Sequence, residues 1–274
     1  MKINITLPAF LLFAALPAAA VPVKASMNAW ADFGSLNIKV IDTDPMDGIV
    51  PTLSFQSIRS KASGSTNPSG TVNWSDEAVS SDWSSLIGVS YASQHGSVVS
   101  GKFNGMAMAA NTSVTANPVK PGSDNQFFTF ANLVRNAELT LTGPGRLEIT
   151  MDYRYQGFSE KQANGEFTKA AGFAELSLSS PTGMPGGYAS RVDRASFSVT
   201  PDTSFSGGGR LYLAAQSFGN DPMTFMLRSS LGTEASLAVA AVPEPETYAT
   251  MLAGGLVVGF AVRRSRRAKA KQSA

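Results

Sequence analysis

From Arg146 to Tyr155 every odd position is apolar or aromatic and every even position is polar. A helix would scatter those side chains around its circumference, so this period of two describes an extended strand with one face buried and one in water. Ala137 to Thr142 behaves the same way, with Leu139 and Leu141 set against Glu138, Thr140 and Thr142. Gly143-Pro144-Gly145 lies between the two segments. Glycine and proline at a junction of alternating runs predict a tight turn, so residues 137 to 155 are expected to form a hairpin.

Further strands are predicted at Leu36 to Ile41, Thr52 to Ile58, Val98 to Phe103, Met106 to Val114, Gln126 to Ala131, Ala171 to Leu178, Ala195 to Thr200, Arg210 to Gln216, Met223 to Leu227 and Ser236 to Ala241. Clusters rich in Gly, Pro, Asn, Ser and Asp separate them, among them Ser63 to Gly70, Asn117 to Asp124, Pro181 to Gly187 and Gly207 to Gly209. A dozen short strands without an amphipathic helix between them predict an all-β chain, an antiparallel β-sandwich of jelly-roll type. No fixed-length repeat and no biased linker divides it.

Both ends differ from this middle. Met1 and Lys2 lead into an apolar stretch, Leu7 to Ala20, that closes on Ala18-Ala19-Ala20. A positive start, an apolar run and a small-residue site are the parts of a secretory signal peptide. Cleavage after Ala20 fits best, with a second small-residue site after Ala25, so residues 1–25 are assigned to the signal and 26–240 to the exported domain. The run is too short to span a bilayer as a retained helix, and Pro17 and Pro22 interrupt it.

At the other end, residues 241–274 hold Pro243-Glu244-Pro245, then an uncharged segment from Tyr248 to Val262, then a basic end that includes Arg263, Arg264, Arg266 and Arg267. As a helix the uncharged segment would measure roughly 22 Å, the short edge of what a hydrocarbon core needs. Snorkelling of Arg263 and Arg264 or local thinning of the bilayer closes that gap. Basic residues stay on the cytoplasmic side, which orients the preceding domain outward, in agreement with the secretion signal.

These three elements, in this order and inside the last 32 residues, resemble the PEP-CTERM sorting signal of exported Gram-negative proteins. The resemblance implies that Pro243, Glu244 and Pro245 are recognised by an exosortase, a membrane-embedded cysteine transpeptidase-like enzyme. The helix and arginines would hold the motif at the membrane, and this chain would be substrate rather than catalyst. It also implies a setting where exopolysaccharide and biofilm matrix are made. A plain transmembrane anchor is the simpler reading of the same residues.

Charge separates between these parts. The whole chain carries 22 basic and 20 acidic residues, but residues 25–262 carry 14 basic against the same 20 acidic. The expected domain is therefore mildly acidic, which argues against a nucleic-acid partner. There is no cysteine, so a chain entering an oxidising compartment must rely on its buried core instead of disulfides.

Candidate sites are few. Asp42, Asp44 and Asp47, with Pro45 and Gly48, place three carboxylates in one short stretch. Ca²⁺ takes several oxygen ligands from a turning loop, which makes it the one cofactor these residues suggest. The spacing misses the EF-hand pattern, and Asp and Pro are also ordinary turn formers, the reading that turn chemistry favours. A similar Asp-x-Asp-Pro-x-Asp-Gly-Ile stretch resembles that of other exported proteins of the PEP-CTERM type, a likeness that implies no activity. Glu148 and Asp152 share a strand face and could be a glycosidase pair, although alternating polar residues commonly line a solvated face. Trp30, Trp74, Trp83 and Tyr91 could stack on sugars or sit in the core. His95 is the only histidine, which excludes a multi-histidine metal site. No nucleophile elbow, phosphate loop or dinucleotide fingerprint appears.

The expectation is thus a non-catalytic envelope or matrix protein. It would cross the inner membrane through the secretion translocon, lose its leader to signal peptidase and be held by its tail. Exosortase processing would then leave it at the cell surface or outside the cell, beside exopolysaccharide. A carbohydrate-binding or adhesive module, and a polysaccharide hydrolase, are the alternatives.

Overall fold

The computed structural model describes residues 23–32, 34, 36–68, 74–92, 96–104, 107–116, 125–160, 167–184, 188–200, 203–239, 251 and 253–259. Among them are thirteen strands: β1 (Val23–Asp32), β2 (Asn37–Asp42), β3 (Thr52–Pro68), β4 (Trp74–Ser80), β5 (Gly88–Ala92), β6 (Val98–Asn104), β7 (Ala107–Ala116), β8 (Asn125–Thr142), β9 (Gly145–Ser159), β10 (Phe167–Met184), β11 (Tyr188–Val199), β12 (Thr203–Ser217) and β13 (Met223–Val239). The described residues are predominantly β-strand, as expected. One sheet runs β12-β9-β1-β7-β6-β5, with β2 also on β9, and the other runs β11-β10-β13-β8-β3-β4. Every pairing is antiparallel.

The sheets pack face to face as the alternation requires. Inward positions of both contribute to one core, with Met27 and Ala29 from β1, Leu139 and Leu141 from β8, Ile149 and Met151 from β9, and Leu176 and Leu178 from β10. Ala25, Val114, Phe127, Ala235 and Leu237 form a smaller cluster. Removing these apolar surfaces from water is the main favourable term in a chain without disulfides.

The expected hairpin at residues 137–155 is not formed. β8 pairs with β3 and β13, whereas β9 pairs with β1, β2 and β12. The junction is an arch that carries the chain from one sheet to the other. Leu139 and Leu141 then oppose Leu147 and Ile149 across the core. Gly143 turns the chain at φ +93°, and a Cβ there would meet Ile49 Cγ2 and Pro51 Cα at 3.3 Å. Alternation reports which face of a strand is buried and not which sheet the strand joins, so it cannot separate an arch from a hairpin.

Several strands are longer than expected because small or polar residues occupy inward positions. β8 runs unbroken through Arg135 and β13 through Ser229 and Thr233, all three buried. β3 carries a register shift between Gln56 and Arg59, where Ser57 adopts φ 50°. Among the described residues β1 starts at Val23, so three of its residues, Val23 to Ala25, precede the later of the two expected cleavage points.

Candidate functional site

The expected sorting residues Pro243, Glu244 and Pro245, and Arg263, Arg264, Arg266 and Arg267, lie outside the described residues, as does His95. Of the expected apolar helix from Tyr248 to Val262, Met251 and residues 253–259 are described and helical. Among the described residues no helix is long and apolar enough to cross a membrane.

Asp42 closes β2, and Asp44 and Asp47 follow in the turn. Asp42 Oδ1 accepts from the Asp44 amide at 2.9 Å, and Asp47 Oδ1 accepts from the Ile49 amide at 2.7 Å. The Asp47 amide in turn donates to the Asp44 carbonyl at 3.1 Å. These are the local bonds by which Asp builds a turn. Among the described residues no three or more His, Cys, Asp or Glu are grouped so as to hold a metal ion.

Glu148 and Asp152 do share the outer face of β9, and each is engaged. Arg210 donates to both Asp152 oxygens, from Nε at 2.6 Å and Nη2 at 3.0 Å. These bonds hold the Asp152 carboxyl below its ordinary range, the opposite of what a general acid needs. Glu148 Oε1 lies 3.1 Å from Arg146 Nε and accepts from the Tyr212 hydroxyl at 3.2 Å.

The expected aromatic platform divides as well. Trp74 stacks on Tyr91 at 4.9 Å between ring centroids, and both Trp74 and Trp83 pack against the core. Trp30 stands on β1, its side chain outside the described part.

The outer face of the six-stranded sheet carries an aromatic constellation that the sequence did not announce. Strand register sets Ala171, Glu234, Phe130, Ser65 and Ser75 side by side across β10, β13, β8, β3 and β4. The next row reads Phe173, Gly232, Asn132, Ser63 and Glu77. Gly232 lets the Phe173 ring occupy the place where a Cβ would stand, so the ring lies over the β13 backbone. Arg194 covers Phe173 with its guanidinium carbon 4.7 Å from the ring centroid and reaches Glu175 at 3.6 Å. Lys169 donates to Glu234 at 3.0 Å. Phe128, 38% exposed, stacks beside Phe130 at 6.5 Å.

Two depressions adjoin on this face. One, of about 320 Å³, lies among Phe130, Lys169, Phe173, Arg194 and Glu234. The other, of about 560 Å³, lies among Ser63, Ser65, Ser75, Asp76, Glu77 and Phe130. Phe130 is the wall common to both. The legible sign of this face is the run Phe127-Phe128-Thr129-Phe130, where large rings stand at both parities of one strand. Phe127 goes to the core, and Phe128 and Phe130 go to the outer face. Compared with family models, with curated proteins and with solved structures, the chain matches none.

Proposed function

We propose that this chain is a non-catalytic exported β-sandwich delivered to the cell envelope or extracellular matrix and processed through its C-terminal tail. The observation that carries the reading is the order Pro243-Glu244-Pro245, uncharged segment, arginine cluster, which resembles the PEP-CTERM signal. Among the described residues the last strand is β13, described to Val239, and the motif follows it in the sequence. In this reading the secretion translocon, signal peptidase and exosortase are successive partners. The inner membrane holds the chain until processing, and its final place is the cell surface or the space outside. The pairing of Asp152 with Arg210 and of Glu148 with Arg146 weighs against the hydrolase alternative, while the aromatic face favours a carbohydrate-binding module as the second reading.

Intact mass and cell fractionation of the protein from its host test the sorting step, beside a variant with Pro243, Glu244 and Pro245 replaced by alanine. The wild type is expected to lose both its leader and its tail near Pro243, and the variant to stay in the membrane fraction with the tail attached. Retention of residues 248–271 by both forms would reduce the tail to a plain anchor.

A further inference from the structure

We infer that the outer face of the six-stranded sheet binds a neutral polysaccharide, laid across the strands over Phe130 and alongside the Arg194-covered Phe173. The C–H face of a sugar ring is apolar and its rim is hydroxyl, so a sugar site needs an exposed aromatic surface with polar groups around it. Phe173 is held between Gly232 and Arg194 and walls one depression, and Phe130 stands between the two. The Lys169–Glu234 pair sits beside one ring, and Ser65, Ser75 and Glu77 line the far side of the other. These groups donate to and accept from hydroxyls without a change of protonation.

The shape selects a polymer over a single sugar. The two depressions share a wall and run across β10, β13, β8, β3 and β4, a path of about 20 Å at the usual strand spacing. The charge selects a neutral polymer over an acidic one. Lys169 and Arg194 are the basic residues lining the depressions, against Glu234, Asp76 and Glu77. Both cations are also paired already, with Glu234 and Glu175.

This inference names the matrix partner of the exported-protein reading and rests on that reading only for where the polymer is met. Binding in vitro and tail processing in the host are separate measurements, so either can fail alone. The test is native affinity electrophoresis of the full chain in non-ionic detergent, through gels containing hydroxyethylcellulose, galactomannan or alginate. Retardation by at least one of the two neutral polymers and none by alginate is expected. Phe130→Ala should weaken retardation about tenfold, and Phe130→Trp should restore it. Should Phe130→Ala fail to fold, Ser75→Arg on the exposed edge strand β4 places a bulky charge in the second depression and is expected to weaken binding similarly. Absence of retardation by either neutral polymer, retardation by alginate alone, or wild-type retardation of a folded Phe130→Ala or Ser75→Arg chain would overturn the inference.

Discussion

The guanidinium carbon of Arg135 lies 4.6 Å from the centroid of the Phe103 ring, inside the sandwich, and Arg135 is only 1% exposed. Its Nη2 donates to the Trp83 carbonyl at 3.0 Å, which ties the connection between β4 and β5, residues 81–87, to β8.

Burial pulls the Arg135 guanidinium down to about 10. Since its folded value lies below its unfolded one, the unfolded chain binds more protons above pH 10, and the penalty of the buried charge is relieved as pH rises further. Arg135→Met, similar in length and uncharged, should be neutral or stabilising near pH 7. Arg135→Ala leaves a cavity and should cost about 2–5 kcal/mol. Thermal melts of the three proteins against pH provide the check. The wild type should gain on Arg135→Met as pH passes 10, and a gap independent of pH would contradict the assignment.

Asp82 organises the same connection. Its carboxylate accepts from the Ser85 hydroxyl at 2.7 Å, the Ser85 amide at 2.5 Å and the Ser84 hydroxyl at 3.0 Å. These bonds hold it at about 2, below the ordinary 3.8. A folded value below the unfolded one stabilises above pH 3.8 and is lost as pH falls toward 2. Amide exchange at Ser85 should therefore accelerate between pH 4 and 2 beyond the intrinsic rate, while Leu139 and Ile149 in the central strands stay protected. Asp82→Asn should exchange quickly at Ser85 already at pH 6.

The arch at Gly143 yields a third expectation. Gly143→Ala demands φ +93° of a residue with a Cβ and presses that Cβ on Ile49 and Pro51, which should cost about 1–3 kcal/mol. Chemical denaturation measures it. A neutral result would mean that the turn relaxes toward an ordinary hairpin geometry and that the two sheets are not joined there.

That arch also marks how far the residues alone can be read. Alternation at Leu139, Leu141, Leu147, Ile149 and Met151 is a local signal, and it assigned each strand's buried face correctly. Sheet membership is decided by partners far along the chain, such as Leu141 with Met223 and Leu53, and leaves no local trace. Arg135 and Thr233 broke the apolar pattern and so hid the middles of β8 and β13. The aromatic face was obscured for the same reason. Phe130 and Phe173 come from segments far apart in the chain and become neighbours only through the register of β13 between them. Asp42, Asp44 and Asp47 were legible as turn chemistry because Asx bonding is local.

β12 shows what a strand looks like when side chains from elsewhere fill its places. Tyr155 stacks between Phe197 at 4.1 Å and Phe205 at 5.1 Å, its hydroxyl against Gly207, while Tyr153 covers Gly209. Arg191 and Asp193 of β11 bond the free edge of β12 at Ala214 and Tyr212, but residues 203–210 are exposed throughout. A Cβ on Gly208 would stand 2.5 Å from the Tyr153 carbonyl oxygen, a backbone atom that cannot swing away. Gly208→Ala should thus cost about 1–3 kcal/mol, more than Gly219→Ala in the following turn, where nothing stands closer than 4.0 Å. Comparable melts for the two variants would show that the β12 backbone moves freely off β9.

The start of β1 decides between the two cleavage points if the chain is exported as proposed. Ala25 is fully buried in the smaller core cluster and lies between Val114 of β7 and Ser159 of β9. Cleavage after Ala25 would remove that side chain and the ladder positions of Val23, Lys24 and Ala25 beside β7. Cleavage after Ala20 leaves every described residue of β1, Val23 to Asp32, in the mature chain. The exported protein should therefore begin at Val21 by N-terminal sequencing. A chain made to begin at Ser26 should be less stable by about 1–3 kcal/mol, from lost ladder bonds and lost burial. An exported N-terminus at Ser26 with undiminished stability would mean that β1 begins later than Val23 and that the small cluster closes without Ala25.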